Sequence, residues 1–289
     1  MRILIFGGDG MLGHRLLRQL APSHEARVTL RRRLPDYARY GLFDRDNAFD
    51  STDVRDFDRV SAVVAKFQPQ VVINAAGIVK QRPEAYDPVA SIEVNALFPH
   101  RLAVLCRARG VGLVQLGTDC VFSGEKGNYT ESDRPDPIDL YDLTKLLGEV
   151  DGPGMLTLRT SMIGPELGRK TGLVEWFLAQ KGKTIKGYRK AIFSGFTTAE
   201  LARVIEMLLA RYPDAHGIYH VSSEPISKYD LLLLIKRKLG LEVEIVPDEA
   251  FRCDRSLDSS RFRAEFGYAP PSWDEMTDEL AASIREARS

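Results

Sequence analysis

Tyr141 and Lys145 stand four residues apart in Tyr141-Asp142-Leu143-Thr144-Lys145. On a helix that spacing puts both side chains on one face, so a phenol and an ammonium can serve one small site. A phenol titrates near about 10, too high to exchange a proton readily at neutral pH, and a neighbouring cation lowers that value. The pair therefore suits proton transfer at a carbonyl oxygen. Thr118, some two dozen residues earlier at the expected tip of a strand, offers a second hydroxyl. So short a pattern also arises by chance on surface helices, and what singles it out is its position behind a glycine-rich opening.

That opening is Gly7-Gly8-Asp9-Gly10-Met11-Leu12-Gly13, between an apolar strand from Arg2 to Phe6 and a helix running to about Leu20. Glycines allow a tight turn, let backbone approach a pyrophosphate, and leave the helix start free to point amides at the anion. Gly7, Gly10, Met11, Leu12 and Gly13 are the expected contacts, a plain strand-to-helix turn being the other reading. The second strand, Ala26 to Leu30, ends in Arg31-Arg32-Arg33 where an acid would hold a free ribose hydroxyl. Arg31 and Arg32 suit a 2′-phosphate, which favours NADPH over NADH, unless they form a solvated basic turn. Asp53 and Val54, opening a helix that ends near Phe67, suit the adenine, although Asp53 would equally cap that helix. A strand from Gln70 to Ile73 runs into Asn74-Ala75-Ala76-Gly77. Ala75, Ala76 and Gly77 are small enough for a cofactor to lie against the backbone at the strand's carboxyl end.

A helix from about Pro88 to Arg109, a strand from Gly112 to Leu116, the Tyr141 helix and a strand from Met155 to Leu158 continue the alternation. This rhythm implies an α/β fold: a Rossmann-type doubly wound parallel sheet with a smaller C-terminal α/β lobe. Residues 1–160 would form the NADP-binding domain, with a returning segment near 195–222, and 161–289 mainly the substrate-binding lobe. In the latter, helices are expected over Leu173–Gln180, Thr197–Arg211 and Lys228–Leu239 and from Trp273 onward, with strands at Gly217–Val221 and Val243–Val246.

The chain of 289 residues carries 40 basic and 40 acidic side chains, so no global field recruits nucleic acid or an anionic membrane. Its 44% hydrophobic content is that of a soluble globular protein. Three cysteines argue for a reducing compartment, hence a cytoplasmic location. The longest late apolar run, Leu231 to Ile235, is too short for a bilayer. No His, Cys or carboxylate cluster has metal-ligand spacing, so no metal is expected.

Taken in order, Gly7-x-x-Gly10-x-x-Gly13, Asn74-Ala75-Ala76-Gly77, Thr118-Asp119, Tyr141-x-x-x-Lys145 and Arg159-Thr160-Ser161 resemble the extended short-chain dehydrogenase/reductase superfamily. Thr118-Asp119-x-Val121-Phe122-x-Gly124 and Tyr141-x-x-Thr144-Lys145-x-x-Gly148-Glu149 are most similar to the dTDP-4-dehydrorhamnose reductases. The resemblance implies NADPH-dependent reduction of the C4 ketone of a nucleotide-linked 6-deoxy sugar in surface polysaccharide biosynthesis. In it Thr118 binds the substrate carbonyl, Tyr141 donates the proton and Lys145 holds the nicotinamide ribose. Asp119, Cys120, Val121, Phe122, Ser161, Met162 and Trp176 fall at substrate-contact positions. Arg255 resembles a contact to the nucleotide diphosphate, with a solvated helix face as its alternative.

Four residues depart from the family pattern: Gly117, Cys120, Asp142 (usually glycine) and Met162. Cys120 and Met162 leave open a UDP-linked 2-acetamido-6-deoxy sugar as substrate. Cys120 also has the offset of the cysteine that helps GDP-fucose synthases epimerise their sugar. No histidine lies between Arg159 and Lys190 to partner it, and a small buried residue is the simpler use of Cys120. His14 and His220 read as packing or solvent residues. Two further alternatives are an epimerase that returns its hydride and a non-catalytic regulatory subunit, as on the similar fold of the methionine adenosyltransferase regulatory subunit. A homodimer is a further expectation.

Overall fold

The computed structural model describes residues 1–168 and 170–286; Arg169 and the last three residues lie outside it. In chain order the first elements are β1 Arg2–Phe6, α1 Gly13–Leu20, β2 Glu25–Thr29, β3 Ala48–Phe49, α2 Phe57–Phe67 and β4 Val71–Asn74. Next come α3 Pro88–Ser91, a π-helical stretch Ile92–Leu97, α4 Phe98–Ala108, β5 Gly112–Leu116, α5 Leu140–Leu147 and β6 Met155–Arg159. Then follow β7 Met162–Ile163, α6 Leu173–Leu178, β8 Thr184–Phe193, β9 Phe196–Thr197, α7 Thr198–Arg211 and β10 Gly217–His220. The chain ends with β11 Ile226–Ser227, α8 Lys228–Leu239, β12 Glu244–Asp254, α9 Ser260–Phe266 and α10 Trp273–Glu286.

Two compact units form, each from three stretches of chain. The first takes Met1–Gly117, Asp139–Leu158 and Ala202–Ile218; the second takes Thr118–Ile138, Arg159–Leu201 and the residues from Tyr219 onward. The stretch 118–138, which the sequence grouped with the dinucleotide-binding part, clusters with the second unit because its backbone bonds there. Tyr129 N donates to Ser256 O at 2.9 Å and Asp254 N to Gly124 O at 2.8 Å.

The large sheet has the order β10-β6-β5-β4-β1-β2-β3. Every neighbouring pair from β3 across to β6 is parallel. The buried residues of β1 and β4 are apolar except for Asn74 at the end of β4, as suits strands covered on both faces. Helices cover them with apolar faces. In α2 the Asp56 side chain caps the first turn by accepting from Arg59 N, and Val60, Val63, Val64 and Phe67 point inward. These meet Leu4, Phe6, Val72, Phe98 and Leu102 in one core.

The stretch Pro88–Ala108, 21 residues long, is long and apolar enough to cross a bilayer, which the sequence reading overlooked in favour of Leu231 to Ile235. Half of its apolar window is buried in the fold, because Phe98, Leu102, Ala103, Leu105 and Cys106 belong to the core.

In the second unit a three-stranded sheet has the order β11-β8-β12. Strand β8 is absent from the sequence expectation, and β12 runs far past the expected Val243–Val246. Both are thinly buried and rich in charge, Lys186 pairing with Asp248 at 2.9 Å, so apolar alternation gives no signal. Pro247 is tolerated because β12 is an edge strand.

Candidate active site

In the first unit the glycine turn is set by collisions. Gly7 has φ +85°, and a Cβ there would lie 2.8 Å from Ala75 O and Ala76 N. The turn after β1 therefore lies against the backbone that follows β4. A Cβ on Gly13 would come within 2.0 Å of Gly7 O, so α1 starts pressed onto the turn. Leu12, at the cap position of α1, makes no side-chain cap bond, and the first turn holds no acid. The partial positive charge of a helix start suits an anion. Leu12 is buried and Met11 half-buried, which leaves mainly backbone to serve a ligand at those positions. Strand order reverses direction between β1 and β4, where α/β sheets bind their ligands. A glycine cradle at that reversal, with no acid in the helix start, fits the pyrophosphate of a dinucleotide.

Arg31, Arg32 and Arg33 follow β2 after the buried Leu30 and are exposed. Arg32 N donates to Tyr37 Oη at 3.3 Å, and Tyr37 Oη donates to Asp9 Oδ2 at 3.4 Å. This phenol, which burial pushes above its usual range, ties the glycine turn to the arginine run. Tyr37 was not read from the sequence, and nothing in its neighbours signals the link. Asp53 is not the cap of α2, which is Asp56. Arg55 holds Asp53 instead, Nη2 at 2.7 Å from Oδ2, and keeps its carboxyl below the usual range. The turn needed to start α2 at Phe57 explains the shift, since Asp56 is the acid placed to accept from Arg59 N. Val54 packs on the core.

Asn74 is buried and donates to Gln115 Oε1 at 2.7 Å while accepting from Ala76 N at 3.2 Å. Asn95 escaped the sequence reading. Its Oδ1 accepts from Ile78 N at 2.9 Å, and its Nδ2 donates to Ile78 O at 3.0 Å and to Thr144 Oγ1 at 3.4 Å. A lone amide amid Val94, Ala96, Leu97 and Phe98 is the signal that would have found it. On α5, Tyr141 is half-buried and Lys145 buried. Lys145 Nζ donates to Leu116 O at 2.7 Å, which anchors the ammonium to the last residue of β5. Asp139 caps α5 by accepting from Asp142 N at 2.9 Å.

In the second unit Thr118 caps a short turn, Asp119–Val121: its Oγ1 accepts from Cys120 N at 3.1 Å and donates to Asp119 Oδ1 at 3.2 Å. Burial pushes the Asp119 carboxyl up, against the pull of Arg255. Arg255 Nη1 donates to Cys120 Sγ at 3.2 Å, so Asp119, Cys120 and Arg255 form one group. Phe122 stacks on Tyr129 at 4.2 Å with Arg159 over its other neighbourhood at 5.4 Å. His220, expected as a packing or solvent residue, is buried. Its Nε2 lies 3.2 Å from Arg159 Nη1 and its Nδ1 2.9 Å from Tyr129 O. Burial lowers its basicity, which suits a neutral ring accepting from the guanidinium. Val121 is buried, Ser161 half-buried, and Met162 sits in β7 opposite Phe196. Trp176 projects from α6 and is 40% exposed.

A model of the RmlD substrate binding domain matches residues 1–286. The chain is 27% identical over 305 residues to the dTDP-4-dehydrorhamnose reductase of Aggregatibacter actinomycetemcomitans, covering 97% of this chain and 98% of that one. It is 31% identical over 152 residues to the methionine adenosyltransferase 2 subunit beta of Rattus norvegicus, covering 51% of this chain and 41% of that one. Among solved structures, a hypothetical dTDP-4-dehydrorhamnose reductase from Sulfolobus tokodaii superposes with a TM-score of 0.78 at 31% identity, covering 95% of this chain and 98% of that one. A glycine cradle at the sheet's reversal, a tyrosine and lysine one turn apart on α5, and a match across the described length all agree that the chain belongs to the RmlD substrate binding domain family.

Proposed function

We propose that this protein reduces the C4 ketone of a nucleotide-linked 4-keto-6-deoxy sugar, with NADPH as the reductant. The observation that carries the reading is the buried ammonium of Lys145, anchored on Leu116 O at 2.7 Å one helical turn from Tyr141. When bound, the cofactor supplies the hydride. Gly7, Gly10, Met11, Leu12 and Gly13 hold its pyrophosphate, Arg31 and Arg32 its 2′-phosphate, Asp53 and Val54 its adenine. Ala75, Ala76 and Gly77 flank it, and Lys145 with Tyr141 holds the nicotinamide ribose.

Thr118 turns its hydroxyl from Asp119 to the substrate carbonyl oxygen, and Tyr141 delivers the proton to that oxygen. Two hydroxyls aimed at one oxygen stabilise charge as it develops. The Lys145 charge favours the phenolate that remains. Asp119, Cys120, Val121, Phe122, Ser161, Met162, Trp176 and Arg255 contact the sugar nucleotide. On this reading residues 1–160 with 195–222 bind the dinucleotide and 161–289 mainly bind substrate. A cytoplasmic location and a homodimer complete the proposal, the product entering surface polysaccharide.

The test is NADPH oxidation by the purified protein given dTDP- and UDP-linked 4-keto-6-deoxy sugars. Stoichiometric oxidation is expected, and Tyr141→Phe should cut turnover by about a hundredfold or more, the usual contribution of a positioned proton donor, with NADPH affinity retained. Sugar turnover without net oxidation would make the protein an epimerase. Inertness toward every donor would leave the regulatory reading.

A further inference from the structure

Lys80 lies three residues past Gly77, in the segment that follows β4. Its ammonium bridges two carboxylates of the α5 start. It pairs with Asp139, the cap of that helix, and lies 3.4 Å from Asp142 Oδ1 and 3.5 Å from Asp142 Oδ2. Asp142 directly follows Tyr141, and its side chain is fully buried whereas that of Lys80 is 40% exposed. A cation thus reaches in from the surface to an interior acid. The same segment is stitched to α5 a second time, through Asn95, which bonds both Ile78 and Thr144. In the chain Tyr141 lies between Asp139 and Asp142, within the first of these stitches.

We propose that Lys80 is a positioning residue for Tyr141, its bridge to Asp139 and Asp142 fixing the first turn of α5 against the segment after β4. This rests on reading Tyr141 as the proton donor. A buried carboxylate without its cation is strongly destabilising, whereas a pair removed together often is not. The substitutions can therefore separate stability from positioning. In Lys80→Met the buried Asp142 carboxylate loses this cation, which should lower Tm. In Lys80→Met/Asp142→Asn the cation and the buried charge it faces are removed together, and Tm should recover while the bridge stays broken. A small displacement of a reacting group costs far more in turnover than in cofactor binding.

The experiment measures Tm, NADPH affinity, kcat with the dTDP- and UDP-linked 4-keto-6-deoxy sugars, and amide exchange over residues 139–144. The double variant should recover Tm over the single one and keep NADPH affinity within about twofold. It should lose about tenfold or more in kcat, a modest share of what misplacement costs, and exchange faster at 140–144. Lys80→Arg, which keeps the cation, should restore kcat. A double variant with wild-type kcat and wild-type exchange, or one losing NADPH affinity in step with kcat, overturns the proposal. Tyr141→Phe separates the two failures. Normal turnover in that variant sinks the functional reading, and Lys80 is then judged on exchange alone, unchanged exchange overturning it.

Discussion

Side chains forced by geometry and side chains chosen for chemistry alternate in the first seventy residues. Gly7 and Gly13 belong to the first kind, since any Cβ at either would strike backbone at 2.8 Å or less. Arg31 and Arg32 are exposed, next to a tyrosine that links the run to the glycine turn, and the proposed cofactor role puts them in the second. Replacing both by Ala should weaken NADPH by about tenfold or more, the worth of one or two charged hydrogen bonds, and NADH far less. Fluorescence titration with each cofactor checks this, and equal losses would remove the 2′-phosphate role. Cys106 is chemically silent by contrast, burial having pushed its thiol up to about 12. The glycine turn was legible because its residues are local in the chain. Asn95 was not, because its partners Ile78 and Thr144 stand 17 and 49 residues away.

At the scale of elements the contact that matters most is between α5 and the π-helical stretch Ile92–Leu97. A Cβ on Gly148, which ends α5, would lie 1.8 Å from Asn95 O. The wide turn carries that carbonyl toward α5, and π turns commonly occur where a side chain must be re-aimed. Here the re-aimed group is the Asn95 amide, which bonds Thr144 one residue before Lys145. Gly148→Ala should cost about 1–3 kcal/mol as an overpacked contact, a fall in Tm of roughly 2–10 °C for a chain of this size. Scanning calorimetry checks it, and an unchanged Tm would mean the helices do not approach so closely. The sequence predicts one unbroken helix from Pro88 to Arg109, since apolar period alone does not distinguish a single wider turn. The strand β8 was missed for a related reason: its backbone pairing with β11 and β12, rather than its side chains, makes it a strand.

For the molecule as a whole, the open question of assembly has a physical handle in the first unit. Leu97 and Val104 on one helix and Leu143 and Leu147 on α5 are 41–64% exposed, and His100 Nε2 lies 2.7 Å from Leu147 O between them. Such a face is unusual for a surface left to water. The homodimer proposed above would set a second copy on this face. Glu93 and Arg101 stand four residues either side of Leu97; Glu93 acts on Arg55, and the Arg101 guanidinium lies 5.7 Å over the Phe57 ring. A twofold antiparallel arrangement would set Glu93 of one copy opposite Arg101 of the other, twice. A hollow of about 670 Å³ lined by Phe57, His100, Arg101 and Val104 adjoins the face. Sedimentation equilibrium should find a dimer that Leu97→Glu/Val104→Glu converts to a monomer of unchanged circular dichroism. It should also show Glu93→Arg and Arg101→Glu each weakening association and their combination restoring it. A wild-type monomer, or a dimer indifferent to these changes, would dismiss this face.

The chain's own order of residues was enough to decide the alternation of strands and helices, the glycine turn at the end of β1 and the placing of Tyr141 and Lys145 on one helix. Each depends on neighbours within a turn or a strand, where steric limits and periodicity act directly. Only the folded chain decided that Lys145 rests on Leu116, that Asn95 and Lys80 hold α5 from a distant segment, and that 118–138 joins the second unit. Those outcomes depend on which polar groups find partners across tens of residues, and burial selects such partners without leaving a local mark.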